Sequence, residues 1–239
     1  MCRQPHSPVC LMFNDYETLL APWNKLLSFY LNLKKLDAPI QDLAAFPAHT
    51  LFEDKYEDIK SEASALLAIR ESIPAFEYID PEQAFLTNDG RWQTYFLRAY
   101  GQNIDTNMER CPITSRLIRD NPNITTAMFS IMDGLKHVPP HQGQNKGVLR
   151  YHLGLIIPKE DGPFMMLSNT ELKWQEGKSL LFDDTFTHCV CNPAREPRVI
   201  LFLDVLRPLP SLLYACNMLL AKMAKTSRRV KEGAERAFI

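Results

Sequence analysis

Eight of the nine glycines of this 239-residue chain fall between residues 90 and 177, and only Gly233 lies outside that window. Glycine supplies the positive φ angles that tight turns require, so the middle of the chain is turn-rich and the two ends are not. Around these turns, short apolar runs separated by Gly, Pro and Asn predict strands over 92–100, 124–132 (ITTAMFSIM), 148–157 (VLRYHLGLII), 163–167, 178–183, 187–191 and 198–206 (RVILFLDVL). Strands at such short intervals indicate a sandwich or barrel rather than a βαβ sheet.

The ends read as helices. From Asp15 to Lys35 the residues Leu19, Leu20, Trp23, Leu26, Leu27, Tyr30 and Leu31 recur at helical spacing. A second helix is expected over 55–71 and a short one over 112–120. The chain is therefore read as mainly β with flanking helices. Residues 1–90 form an N-terminal helical region packing on the core, 91–208 the β core, and 209–239 a basic C-terminal helix. No repeat or low-complexity tract is visible.

Composition narrows the class. Apolar residues make up 46% and charged ones 23%, as in ordinary soluble globular proteins, which excludes disordered, collagenous and disulfide-knot chains. A chain of this length buries roughly 70% of its unfolded surface without help from a metal. Metal ligands, where present, then point to chemistry. The net charge of -1 carries no footprint for nucleic acid. It is unevenly spread: residues 208–239 hold six Lys or Arg against two Glu, a net of +4, which leaves -5 for 1–207.

The six cysteines, at 2, 10, 111, 189, 191 and 216, form no regular framework. Cys189-Val190-Cys191 has the wrong spacing for a redox CxxC or a zinc knuckle and is read as part of a strand. The opening MCRQPHSPVCLMF lacks the apolar core of a secretory signal, so reduced thiols and a cytoplasmic location are expected. The uncharged stretch Pro208–Ala221 has 14 residues and two prolines, short of the about 20 that a membrane span needs.

Four of the six histidines (His137, His141, His152, His188) lie in the β-rich part. His141 ends an extended segment after Pro139-Pro140, and His188 follows Asp183-Asp184-Thr185-Phe186-Thr187. Two imidazoles distant in sequence on neighbouring strands of a jelly roll are how cupin-like barrels hold Fe(II). Taken singly, each reads first as a hydrogen-bonded surface or core histidine. Side-chain alternation adds to this picture. Leu149, Tyr151, Leu153 and Leu155 share one face of a strand, while Arg150, His152 and Gly154 share the other. An arginine beside a histidine, next to a glycine that leaves room, suits a buried anionic ligand. A second arginine, Arg198, opens another apolar strand. The plainer readings are an ion pair with a nearby Asp for Arg150 and a solvent-reaching strand end for Arg198.

These blocks carry a resemblance. Phe129-Ser130-Ile131-Met132, Pro140-His141-Gln142-Gly143, Leu149–Leu155, Trp174…Glu176-Gly177, Phe182–His188 and Arg198…Asp204…Arg207-Pro208 resemble the aspartyl/asparaginyl β-hydroxylase family. Order and spacing are kept over about residues 90–208. The resemblance implies a double-stranded β-helix (jelly roll, cupin-like) that uses Fe(II) and 2-oxoglutarate with O2 to hydroxylate an unactivated C–H bond, releasing succinate and CO2. It implies His141 and His188 as iron ligands, Arg198 and Ser130 on the distal carboxylate of 2-oxoglutarate, and Arg150 and His152 near its iron-binding end.

Two departures stand out. A 2-His-1-carboxylate triad places an acid two residues after the first histidine; here that residue is Gly143, as in the aspartyl/asparaginyl hydroxylases proper but unlike the similar lipid A 2-hydroxylases. Asp184 is then a supporting group or a third ligand. The peptide hydroxylases also carry an arginine at the position of Val148, and its loss removes a bidentate clamp for an Asp side chain. The substrate is accordingly left as a peptide, an amino acid or an acyl lipid. Alternatives from other classes are a non-catalytic cupin-like binding module and a zinc-dependent hydrolase using His141, His188 and Asp184.

The terminal helices admit two readings. An apolar stretch such as Leu212–Met223 leading into Lys222–Lys231 has the pattern of an interfacial helix giving peripheral membrane contact. Equally, both helices pack on the barrel and the basic tail is solvated.

Overall fold

The computed structural model describes residues 15–237. The N-terminal tract read above for signals, with Cys2 and Cys10, lies outside the described residues. The helices are α1 (Asp15–Leu33), α2 (His49–Asp54), α3 (Tyr56–Leu67), α4 (Phe76–Ile79), α5 (Asp105–Glu109), α6 (Pro112–Asp120), α7 (Ser211–Thr226) and α8 (Arg228–Arg236). The strands are β1 (Trp92–Ala99), β2 (Gln102–Asn103), β3 (Ile124–Met132), β4 (Lys136–His141), β5 (Val148–Ile156), β6 (Phe164–Leu167), β7 (Thr170–Lys173), β8 (Ser179–Phe182), β9 (His188–Asn192) and β10 (Arg198–Leu206).

Eight consecutive strands, β3 to β10, alternate between two antiparallel sheets except at the β6–β7 hairpin, which stays within the smaller sheet. Their orders are β3-β10-β5-β8 and β4-β9-β6-β7, and β1 and β2 extend the first beyond β3. This pairing of first with last and third with sixth is the double-stranded β-helix expected from the sequence.

Alternation along the larger sheet divides its faces. Tyr95, Leu97, Phe129, Ile131, Leu149, Tyr151, Leu153, Leu201 and Leu203 pack outward under Phe46, Phe52, Ile59 and Leu66 of the N-terminal segment. The opposite parity faces the smaller sheet and includes Met128, Ile200 and Phe202, which pack in one cluster with Met165 and Leu167 of that sheet. The polar residues Ser130, Arg150, His152 and Arg198 share that inner parity, so strand register alone draws them into one space.

The sequence-based helix boundaries differ from the structure in two places. The helix expected over 55–71 is α3 alone, preceded by α2 and followed by a separate 3-10 turn at Arg70–Ser72. The single basic C-terminal helix is two helices. Extended backbone at Ser227 ends α7, and the Ser227 hydroxyl accepts from Val230 N to start α8. α1 packs through Leu20, Trp23 and Leu27 against Leu213 and Leu220 of α7 and the preceding Leu209. Among the described residues no helix is long and apolar enough to cross a membrane.

Candidate active site

β4 ends at His141 and β9 begins at His188, and the two stand opposite each other in register. Their ring centroids are 4.1 Å apart. In each ring Nδ1 is hydrogen-bonded to the backbone carbonyl two residues earlier, at 2.8 Å to Pro139 for His141 and 2.9 Å to Phe186 for His188. A carbonyl only accepts, so Nδ1 carries the proton and each Nε2 keeps its lone pair. Burial lowers the pKa of both, and in His188 burial together with the nearby His141 brings it down to about 3. The site thus holds two neutral imidazoles with free Nε2 donors, the form that binds a divalent transition metal.

Behind them is a cavity lined by Trp92, Ser130, His152, Phe182, Arg198 and Phe202, among others. Arg198 is 3% exposed, which removes the solvent-reaching reading of this strand end. Its Nη2 lies 3.3 Å from Ser130 Oγ, its guanidinium packs 4.9 Å from the centre of the Trp174 ring, and its Nε has no partner. Burial alone lowers its pKa, to about 9, with no carboxylate to offset it. Ser130 Oγ also accepts from Trp92 Nε1 at 2.9 Å. Both lone pairs of the hydroxyl are engaged, and its own proton is left to donate into the cavity. On His152, Nδ1 accepts from Trp174 Nε1 at 3.3 Å, so a neutral ring carries its proton on Nε2. That Nε2 is buried without a partner. Burial, with Arg198 and Arg150 nearby, holds His152 well below its ordinary pKa. One unpaired cation, one hydroxyl and one imidazole N–H are the donor set for a carboxylate.

Arg150 sits differently from its neighbours. It stands opposite Asp204 in the β5–β10 register, pairs with it at 3.0 Å and with Asp184 at 2.8 Å, and stacks 4.4 Å over Phe202. The plainer reading of Arg150, an ion pair with a nearby Asp, is what the geometry shows. Gly154 likewise leaves room for backbone and not for a ligand. A Cβ there would stand 2.2 Å from the Gln175 carbonyl oxygen, where the 175–177 turn crosses β5.

Gly143 explains the missing triad acid. A Cβ at this position would fall 2.0 Å from Asp184 Oδ2, and Gly143 N donates to the Asp184 carbonyl at 2.7 Å. Asp184 therefore fills the space that a side chain at 143 would need. Burial raises its pKa and Arg150 opposes the rise. Among the described residues no three of His, Cys, Asp and Glu are placed to hold one metal ion, and the Asp184 carboxylate is paired with Arg150.

A second, larger cleft opens beside the first and shares Trp92, His141, Arg150 and Phe202 with it. Phe76, Ile79, Leu86, Phe96, Met128, Ala224 and Ala234 give it apolar walls, and Gln142 and Gln144 lie beside His141. Its two cations are committed, Arg150 as above and Arg229 to Asp80 and Glu82. The two tryptophans are partners of the site to which the sequence reading gives no role, although Trp174 stands in one of the blocks that carry the resemblance. Trp92 shares the inward parity of β1 and stands opposite Met132 in the register with β3, so the alternation used on β5 would have found it.

The site thus defines a double-stranded β-helix protein with a paired-histidine centre, a buried cavity lined by unpartnered hydrogen-bond donors and an adjoining apolar cleft. Comparison with known proteins is more specific. The family described as aspartyl/asparaginyl beta-hydroxylase matches residues 53–208, and the chain belongs to that family. An ornithine lipid ester-linked acyl 2-hydroxylase of Rhizobium tropici is 38% identical over 209 residues, covering 86% of this chain and 74% of that protein. The human aspartyl/asparaginyl beta-hydroxylase is 37% identical over 133 residues, covering 54% of this chain but 17% of the human protein. These relatives are hydroxylases by name.

Proposed function

We propose that the chain is an Fe(II)- and 2-oxoglutarate-dependent hydroxylase acting on the acyl chain of an amphiphilic lipid, close to its polar end. The observation that carries the cosubstrate is the buried, anion-free Arg198 beside the paired histidines. An isolated buried cation is unfavourable unless a ligand brings the opposite charge. In this reading His141 and His188 hold the metal through Nε2. Arg198 and Ser130 take the distal carboxylate of 2-oxoglutarate, and the His152 Nε2–H donates to an oxygen nearer the metal. Arg150 fixes Asp184 and borders both cavities. When bound, Fe(II) and 2-oxoglutarate with O2 supply the oxidant for C–H hydroxylation, and one turnover yields the alcohol, succinate and CO2.

The cleft favours an acyl substrate over an aspartyl one. An Asp side chain needs an uncommitted cation in the cleft, and both arginines there are already paired. A hydrocarbon tail needs the apolar walls that the cleft has. The polar residues next to His141 meet the head of such a molecule, which brings a carbon near the head to the metal. The test is succinate formation by iron-loaded protein with an acylated amino-acid lipid and, separately, with Asp-containing peptides. Product hydroxylated near the acyl carbonyl is expected with the lipid alone. Turnover of the peptides and not the lipid would overturn the substrate assignment, and failure to consume 2-oxoglutarate with either would overturn the reaction class.

A further inference from the structure

We propose that the surface formed by α1 and α7 is a docking face for a bilayer carrying anionic lipid, and that it brings the mouth of the apolar cleft to the membrane. The orientation of the cleft rests on the acyl-substrate reading; the face itself rests on separate observations. Both helices are fixed to the barrel on one side. Trp23 Nε1 donates to Asn217 Oδ1 at 3.2 Å, and Asn217 Nδ2 donates to the Gly147 carbonyl at 2.6 Å. With Leu20, Leu27 and Leu213 turned inward, an amphipathic helix should show water a polar outer side. These do not. Leu19, Leu26 and Leu33 repeat every seven residues on α1 with Phe29 between them, and Leu212 and Leu219 do the same on α7. Phe29 is 70% exposed, Leu33 68% and Leu212 78%.

Charge identifies the occupant. Neither Thr18–Leu36 nor Leu209–Lys231 contains an Asp or Glu, yet together they hold eight basic residues: Lys25, Lys34, Lys35, Lys222, Lys225, Arg228, Arg229 and Lys231. Arg229 is turned to Asp80 and Glu82, and Arg228 pairs with Glu232. Removing the three lysines of the first segment from the net -5 of residues 1–207 leaves the rest of that part at -8. The molecule is therefore acidic except where its apolar helices are exposed. A second copy docking on this face would set cations against cations. An anionic bilayer neutralises them, accepts the leucines and Phe29, and repels the remainder of the surface, which fixes orientation. Continuity with the site completes the argument: Leu20 of α1 and Ala221 and Ala224 of α7 also line the cleft that reaches His141.

The experiment is flotation of the full chain with vesicles of phosphatidylcholine, with and without phosphatidylglycerol. Wild type is expected to float with the anionic vesicles and to be released by salt. Phe29→Glu/Leu33→Glu should weaken partition by about ten-fold or more, and Lys34→Glu/Lys35→Glu by about five-fold or more per charge. All four side chains are exposed, so circular dichroism and turnover of a water-soluble short-chain acyl substrate should be unchanged. Leu135→Glu, at another exposed apolar position, should float like wild type. Flotation reads docking without turnover, so failure of the hydroxylase reading leaves this result standing. Wild type that stays with the unbound fraction, or floats equally well after Phe29→Glu/Leu33→Glu, overturns the proposal. A dimer in solution that those substitutions dissolve, without vesicle binding, overturns it in favour of a second copy.

Discussion

Replacing Arg198 by Met should make the ligand-free protein more stable while removing its response to 2-oxoglutarate. The magnitude follows from the burial of an unpaired charge. Bringing the guanidinium from its ordinary value of 12.5 to about 9 is a drop of about 3.5, worth at most about 5 kcal/mol at 1.36 kcal/mol per pH unit. The sign is that of a cation whose folded pKa is depressed. At every pH below about 9 the charged form destabilises the fold, and the effect is lifted only above that pH. The Trp174 face returns about 1–2 kcal/mol, and the Ser130 contact about 1 kcal/mol more. A net destabilisation of about 2 kcal/mol remains, and methionine of similar length removes it. At about 2–4 °C per kcal/mol for a chain of this size, the melting temperature should rise by roughly 4–8 °C.

Wild type should behave in the opposite way toward ligand. With 2-oxoglutarate at a hundred times its Kd, binding adds about 2.7 kcal/mol, and its melt should rise by at least as much as that of ligand-free Arg198→Met. Arg198→Lys keeps the charge but loses the planar fork, and its apparent 2-oxoglutarate constant should rise about ten-fold or more, the equivalent of one lost charge-assisted hydrogen bond. Differential scanning fluorimetry of the three proteins, with and without 2-oxoglutarate, reads all of this. A structural role for Arg198 gives the reverse pattern. If Arg198→Met melts below wild type without ligand, or still shifts with 2-oxoglutarate, the reasoning from an unpaired buried cation is wrong.

Two further outcomes test the metal end of the site. His141→Ala and His188→Ala should each abolish iron-dependent 2-oxoglutarate consumption while melting within a few degrees of wild type; full activity in either would remove that residue as a ligand. Gly143→Ala should destabilise the protein by about 3–5 kcal/mol, because its Cβ displaces Asp184 from Arg150 and breaks a buried pair. In an Asp184→Gly background the same change should cost almost nothing, and equal costs in both backgrounds, measured by urea titration, would refute the overlap.

Much of the fold is legible in the sequence because its central strands are apolar almost throughout. The expected spans of β3, β6, β8 and β10 agree with the structure to within a residue, and that of β5 to its last one. β7, Thr170–Lys173, has no counterpart among them. Thr170, Glu171 and Lys173 are exposed and only Leu172 is drawn inward, so no alternating signal survives at the edge of the smaller sheet. β4 reads as merely extended because of Pro139-Pro140. A double proline is tolerated there because β4 is the other edge strand, and the register slips between Val138 and His141. The break between α7 and α8 is present in the sequence as Thr226-Ser227 ahead of a basic turn, a capping signal that the run of basic residues on either side conceals.

The site is legible where it depends on one strand and hidden where it depends on two. Alternation along β5 puts Arg150 and His152 on a common face, and the structure does the same. Whether either side chain is free for a ligand depends on β10, which sets Asp204 against Arg150 and Phe202 against His152. The same limit applies to Gly143. From sequence it is a missing acid; in space it is the complement of Asp184, whose carboxylate stands where its side chain would go. The negative charge that a triad acid at 143 would supply is instead that of Asp184, held by Arg150. In the proposed chemistry two neutral imidazoles then leave the metal's charge to be balanced by the 2-oxoglutarate dianion, whose far carboxylate is held by Arg198. Metal and cosubstrate should accordingly bind with positive coupling, and the two halves of the site, distant in sequence, are linked through the ligand that lies between them.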